Sequence, residues 1–453
     1  MSLFISALHR ERIHFNCRSR VLRLPATVVV LLFSAVSLAT DLGLTLADAQ
    51  RLAVERSRQV SAQESALLAA QQMAVAAGQL PDPVVTIGLD SWPIDGAHRF
   101  SVGADDFTMG RIGISQEFTR AAKRKLRAER FDHEGDATVA EKDALIASIQ
   151  RETAMAWLDR YYAEAMAVLI GQESKTSTLE LTAAEAAYRS GQAAQVDVIA
   201  ARAAVAELDD RASEIQQRLT TAKSALERWV GDAAGLTLAD APTLDAIRGD
   251  TNGLEMELSH HPEIGVLDSR EALARTDARL AEAGKYADWS IALGYAQRGS
   301  GLSDFVSVSV SIPWQWDKAN RQSREVAAKL ALAEQAGAER DETLRRQVGA
   351  VRAQVHAWHS GRERLGRYAR ELIPLAQARN AATLAAYAAG NANLGDVLRA
   401  RRDVIDVRLR ALDLESNTAR LWAQLNFLFP DDEVGREPSA DSVRSADSSE
   451  ESK

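Results

Sequence analysis

The chain has 453 residues, of which 26% are charged, with a formal net charge of −9, so a general nucleic-acid surface is excluded. A single cysteine, Cys17, rules out internal disulfides and thiolate metal sites. Only 10 prolines occur, none between Pro93 and Pro242 or between Pro313 and Pro374, which favours long uninterrupted helices.

Arg10, Arg12, Arg18, Arg20 and Arg23 precede an uncharged run from Leu24 to Ala39 that ends in small residues. This pattern predicts a signal peptide over residues 1–39, cleaved after Ala39. The run falls short of the roughly 20 apolar residues of a membrane-spanning helix. No cysteine follows it, so no lipid anchor is expected. Because no later stretch is apolar enough to span as a helix, any membrane insertion must use β-strands.

Four stretches are predicted as strands, at 84–90, 111–118, 290–298 and 305–316. In the last, Val306, Val308, Val310 and Ile312 alternate with Ser307, Ser309 and Ser311, giving one apolar and one small polar face. Trp92, Trp289, Trp314 and Trp316 stand at strand ends, the pattern of an interfacial girdle on a bilayer β-barrel whose apolar strand faces meet lipid. Four strands cannot close a barrel and open edges are forbidden in lipid, so several copies must share one. The same alternation also fits a soluble two-sheet domain.

Helical runs are predicted from about Glu129 to Ala187 and from about Arg324 to Ala386. Gly135 and Gly171 are expected to interrupt the first, and Pro374 to kink the second. Each run ends in a motif that recurs at an offset of 199 residues, Y-x-x-G-x-x-x-x-x-D-V: Tyr188, Gly191, Asp197 and Val198, then Tyr387, Gly390, Asp396 and Val397. The chain is therefore predicted to contain two internal repeats, 40–240 and 241–430.

Beyond each Asp the apolar residues step by three and four, from Val198 through Leu208, Ile215 and Leu226 to Trp229, and from Val397 through Val404 and Leu414 to Leu428, with Thr418 the one polar break. A period of 3.5 sustained over some 32 residues, about 48 Å of helix, predicts coiled-coil packing against other long helices. The glycines suit helix C-caps, so each half presents a helical hairpin with its tip at Gly191 or Gly390. Residues 431–453, rich in acids and serines, are expected to be disordered.

Signal peptide, paired strands, long helical runs and twin tips together resemble the TolC-like outer-membrane efflux channel family over about Leu44 to Pro430. The resemblance implies a mainly α protein with a minor β part. Long coiled-coil hairpins form an α-barrel across the periplasm, and four strands per chain contribute to a twelve-stranded β-barrel in the outer membrane of a homotrimer. It also implies a periplasmic adaptor (membrane fusion protein) and an inner-membrane resistance-nodulation-division pump as partners, outer-membrane lipid as surroundings, and passive export without catalysis or cofactor. The stretches from Gly78 (GQLPDPVVTIGLD) and from Phe107 (FTMGRIGISQEFTRAAKRKLR) look most like the branch serving heavy-metal exporters.

The same resemblance places Tyr188, Gly191 and Gly390 in the adaptor-docking tips. Asp396 matches one position of an acidic ring at the periplasmic entrance, while a second acidic position is Arg399 here. A latch among an Asp, a Tyr and an Arg is matched by Asp197, Tyr387 and Ala392, so its arginine is missing. In the trimer that the resemblance implies, three copies of Asp197 or Asp396 would ring the tunnel mouth with carboxylates, which gather cations; from the residues alone, each Asp could equally be the N-cap of the helix that follows. His356 and His359 can share a helix face, but no third ligand follows at metal spacing. His260-His261-Pro262 reads as a helix start capped by Ser259. No P-loop, G-x-S-x-G, H-E-x-x-H or dinucleotide motif supports an enzyme. Two alternatives stay open: the same channel exporting drugs or other small molecules, and a soluble periplasmic coiled-coil adaptor.

Overall fold

The computed structural model describes residues 43–248, 254–299 and 301–431. The expected signal peptide (residues 1–39) and nearly all of the expected acidic tail lie outside them. Asp431, placed in the tail by the sequence reading, is tied down: its N–H donates to Gln150 Oε1 at 2.8 Å.

The chain runs through α1 (Leu46–Glu55), α2 (Arg58–Ala77), β1 (Val84–Asp90), β2 (Met109–Phe118), α3 (Ala121–Arg189) and α4 (Gln195–Val230). It continues through α5 (Leu254–Ser259), α6 (Pro262–Gly284), β3 (Trp289–Arg298), β4 (Phe305–Ser311), α7 (Gln322–Arg367), α8 (Ile373–Ala388) and α9 (Leu394–Asn426). The strands form one antiparallel sheet in the order β1-β2-β3-β4. Strand β4 stops at Ser311 rather than 316, because Pro313 has no N–H for a ladder and restricts the residue before it. Ile312 is consequently beyond the strand, though still exposed.

Helix α3 corrects the expected interruption, since its 69 residues continue through both glycines. Gly135 is buried where α2 passes, with Leu67 and Ala70 within van der Waals reach of a Cβ placed there. A mid-helix glycine costs only about 1 kcal/mol, which such packing offsets. At Pro374 the outcome is a change of ladder. Tyr368–Leu372 form a π-helical turn in which the Ile373 N–H reaches Tyr368 O, five residues back, accommodating the missing Pro374 donor.

The heptad positions of α4 and α9 are all buried or half-buried, as coiled-coil packing requires. The main core joins α1, α3, α4, α7 and α9 around Trp157, Leu158, Leu226 and Trp358. Two buried polar groups pin it. Arg160 donates to Ala234 O and Leu236 O, both at 2.7 Å, and Trp157 Nε1 donates to Leu44 O at 3.0 Å. The N-cap of α6 is His261 rather than Ser259; its Nδ1 accepts from Glu263 N–H at 3.2 Å, with Pro262 in the first turn. Burial pushes the His261 imidazolium pKa down, which keeps the ring neutral and able to accept.

Candidate functional site

The sheet is the first candidate, and its register sorts every strand residue to one of two faces. One face aligns Val85, Ile114, Leu293 and Val308 in one row and Ile87, Ile112, Tyr295 and Val306 in the next. The other aligns Thr86, Gly113, Gly294 and Ser307, flanked by Ser115, Ala292 and Ser309. Both faces of the edge strands are exposed, the apolar one included: Ile87 is 78% exposed, Val306 72% and Val308 70%. A soluble sheet turns such a face to the core, and among the described residues no helix packs across it.

Aromatic rings mark both ends of the strands. Trp92 follows β1 at the far end, while Trp289, stacked on Phe118 at 4.5 Å, and the highly exposed Trp314 and Trp316 lie at the helical end. The ten residues of β2 and β3 extend about 33 Å at 3.3 Å per residue. On the polar face Arg111 pairs with Asp90 at 2.8 Å.

A clamp joins sheet to helices. Lys123 of α3 bonds Asp288 Oδ2 at 2.7 Å and Tyr286 O at 2.6 Å, and the Arg120 N–H donates to Asp288 Oδ1 at 3.0 Å. Burial alone would raise the Asp288 pKa, but the Lys123 and Arg120 hydrogen bonds outweigh it and hold the carboxyl below its ordinary range. The clamp residues are 165 positions apart, so no sequence pattern could have pointed to them.

The hairpin tips are the second candidate. Gly191 and Gly390 have φ of +77° and +76°, the left-handed conformation that favours glycine. At the first tip Gln192 N–H bonds Ala187 O and Gly191 N–H bonds Tyr188 O; at the second, Asn391 N–H bonds Ala386 O and Gly390 N–H bonds Tyr387 O. Both are Schellman caps, so each tyrosine's carbonyl closes its helix while its ring stays exposed.

Asp197 and Asp396 are not N-caps but sit three residues further in. Asp396 and the true cap, Asn393, form a reciprocal pair: the Asp396 N–H donates to Asn393 Oδ1 at 2.9 Å and the Asn393 N–H to Asp396 Oδ2 at 3.4 Å. Asp197 Oδ2 accepts only from the Ala194 N–H, at 3.1 Å, because alanine offers no side-chain acceptor in return. Arg399, largely exposed, lies 3.4 Å from the half-buried Asp396, so the acid has a counter-charge within its own helix. Within one chain Asp197 bonds Ala194 and not Tyr387, so the two are not brought together. Between α3, α4 and α9, just inside the tips, a cavity of about 300 Å³ is lined by alanines and by a charged set that includes Arg211, Arg399, Arg402 and Arg401, the last of which pairs with Glu173 and Glu180.

The His356 and His359 pair belongs to no cluster of three or more His, Cys, Asp or Glu ligands among the described residues. His359 lies beside its chain neighbour Trp358 within α7, at 4.8 Å, and both histidines are exposed; it is Trp358, buried in the main core, that packs between helices. A half-buried acid escaped the sequence reading: Glu415 of α9 accepts a hydrogen bond from the Tyr162 hydroxyl, at 3.4 Å, and burial raises its pKa. Among the described residues no helix is long and apolar enough to cross a membrane.

No family model matches the chain, and no curated protein matches it in sequence. Its fold, however, is that of outer-membrane channel proteins. The outer-membrane channel OprN matches with a TM-score of 0.71 at 19% identity, over 85% of this chain and 90% of that one. The outer membrane protein VceC from Vibrio cholerae matches with 0.70 at 19% identity, over 84% and 95%. CusC, whose structures concern folding and transmembrane channel formation, matches with 0.73 at 16% identity, over 84% and 91%. At these identities the likeness is one of fold, the fold that the TolC-like resemblance implied.

Proposed function

We propose that the chain is the outer-membrane component of a tripartite efflux system, a passive conduit and not an enzyme. The observation that carries this reading is the sheet: four strands with a continuous exposed apolar face, a small polar face, and tryptophans at both ends. In water that face would be an aggregation hazard; in a bilayer it is the outer wall of a barrel. The edges of β1 and β4 need strand partners in lipid, so copies of the chain complete the barrel, as a homotrimer of twelve strands. The same exposed face disfavours a soluble coiled-coil adaptor, whose strands would bury it.

In this reading Val306, Val308, Val310 and Ile312 face lipid. Gly191 and Gly390, with Tyr188 beside them, form the tips where a periplasmic adaptor docks and links the channel to an inner-membrane resistance-nodulation-division pump. Asp197, Asp396, Arg399 and Tyr387 surround the periplasmic entrance. Because Arg399 lies beside Asp396, the entrance is of mixed charge rather than purely anionic. Heavy-metal cations are the proposed cargo, on the strength of the stretches from Gly78 and Phe107.

The test is growth of a deletion strain, with and without the restored gene, on graded copper, silver, zinc, cobalt and cadmium and on a panel of drugs and detergents. Sensitivity to one metal group, reversed by the gene, is expected. Sensitivity to drugs alone would discard the metal cargo and keep the conduit.

A further inference from the structure

Both hairpins enter and leave the sheet at its helical end, so the loop of residues 91–108 between β1 and β2 lies at the opposite end, the outer mouth of the proposed channel. This loop is built rather than slack. Thr108, 1% exposed, donates its hydroxyl to Ser91 O at 3.1 Å, and the Asp105 carboxylate accepts from the Phe107 N–H at 3.1 Å. The Phe100 N–H donates to Pro93 O at 2.8 Å, its ring meets Trp92 edge-on at 5.7 Å, and the Arg99 guanidinium lies 4.7 Å above it. These contacts accompany φ values of +59° at Phe100 and +56° at Ser91, a left-handed conformation uncommon outside glycine, and one that a bulky residue such as Phe100 adopts only when its surroundings enforce it.

Such a hydrogen-bonded loop normally turns polar side chains to water. This one exposes Ile94, Phe107 and Val102, with Trp92 and Phe100 about half exposed. An ordered apolar crest of this kind marks a contact surface.

The side on which the loop is tied decides what meets it. Arg298 projects from the polar face of the sheet, by the alternation that also places Gly294 and Ala296 there, and it donates to Asp106 O of the loop at 3.3 Å and to Ser303 O at 3.2 Å. Gly299 lets the loop come close, since a Cβ there would lie 3.3 Å from Gly103 O. The loop is thus anchored toward the polar face, away from the apolar band of Ile87 and Val306. It also rises from β1, an edge strand, and so stands next to the strand that a neighbouring copy must supply.

The geometry points to a lid: the 91–108 loops of neighbouring copies lean over the outer mouth of the pore and meet through Ile94, Val102 and Phe107, narrowing the exit. The occupant of each crest is the equivalent loop of a second copy, so the lid is incomplete in one chain. This inference rests on the channel reading.

The full-length protein, purified as its assembled oligomer and reconstituted in a planar phosphatidylcholine bilayer, provides the test. The double variant Ile94→Ser with Phe107→Ser should raise single-channel conductance several-fold. In the otherwise unaltered protein, Ile94→Cys should form disulfide-linked pairs on oxidation and lower the conductance reversibly. A parent that conducts, with a double variant of unchanged conductance and an Ile94→Cys variant that does not cross-link, overturns the lid and leaves the channel standing. Strong quenching by brominated lipid of a fluorophore on Ile94→Cys would likewise overturn it, placing the crest in lipid. A parent that forms no oligomer and no conductance would sink the channel reading itself, and the lid with it.

Discussion

Thr418 of α9 occupies the space that a side chain on Gly361 of α7 would need: a Cβ built at Gly361 lies 2.5 Å from Thr418 Oγ1. Thr418 is the one polar residue in its heptad stripe, and its buried hydroxyl donates to Leu414 O at 2.7 Å. The polar break is therefore satisfied inside its own helix, and the glycine opposite lets the two helices close around it. Gly361→Ala should cost about 1–3 kcal/mol by overpacking. Adding Thr418→Ala should recover most of the loss. Thermal unfolding of the two single variants and the double variant checks this, and strict additivity would refute the contact.

Val308→Arg tests the bilayer reading. Val308 lies in a row with Leu293, Ile114 and Val85 on the apolar face, so a charge there should cost about 2–4 kcal/mol in the bilayer interior. Loss of the assembled oligomer from outer-membrane fractions is expected, while Ser309→Arg on the other face should still assemble. Normal insertion of the Val308 variant would count heavily against a lipid-facing wall.

The Lys123–Asp288 clamp joins the sheet to the helices with both side chains mostly buried, so Asp288→Asn, which leaves Lys123 without its counter-charge, should cost about 3 kcal/mol. The Asp288 carboxyl is held below its unfolded value of about 3.9, so its stabilising contribution is complete above that pH and disappears as pH falls through the folded value. Urea midpoints of parent and variant between pH 3 and 6 should therefore converge toward the acid end. A constant gap across that range would rule the pair out as the cause.

Glu415 has the opposite sign. Burial raises its pKa above the unfolded value of about 4.3, so the fold is penalised once the carboxyl ionises, and stability declines as pH rises through the folded value. Glu415→Gln keeps a partner for the Tyr162 hydroxyl without the charge. It should melt at a higher temperature than the parent at pH 7.5, with the difference closing by pH 4. An equal difference at both pH values would show that ionisation is not the reason.

The sequence by itself determined whatever depends on neighbours in the chain. The 3.5-residue period of α4 and α9 appears as their buried stripe, the alternation from Val306 to Val310 as two unlike faces, and Gly191 and Gly390 as left-handed helix caps, because periodicity and backbone freedom are local properties. Local signals misled where distant packing outweighed them: Gly135 does not break α3, because α2 packs over it, and the caps of α6 and α9 fell to His261 and Asn393, where side-chain geometry chose among adjacent candidates. Only the tertiary structure decided that β2 pairs with β3 across the two hairpins, which joins their faces into one apolar wall and one polar wall. It alone brought Lys123 to Asp288, Glu415 to Tyr162 and Arg298 to the loop at Asp106. Such partners are fixed by the three-dimensional meeting of elements far apart in the chain, which leaves no periodic trace in the sequence.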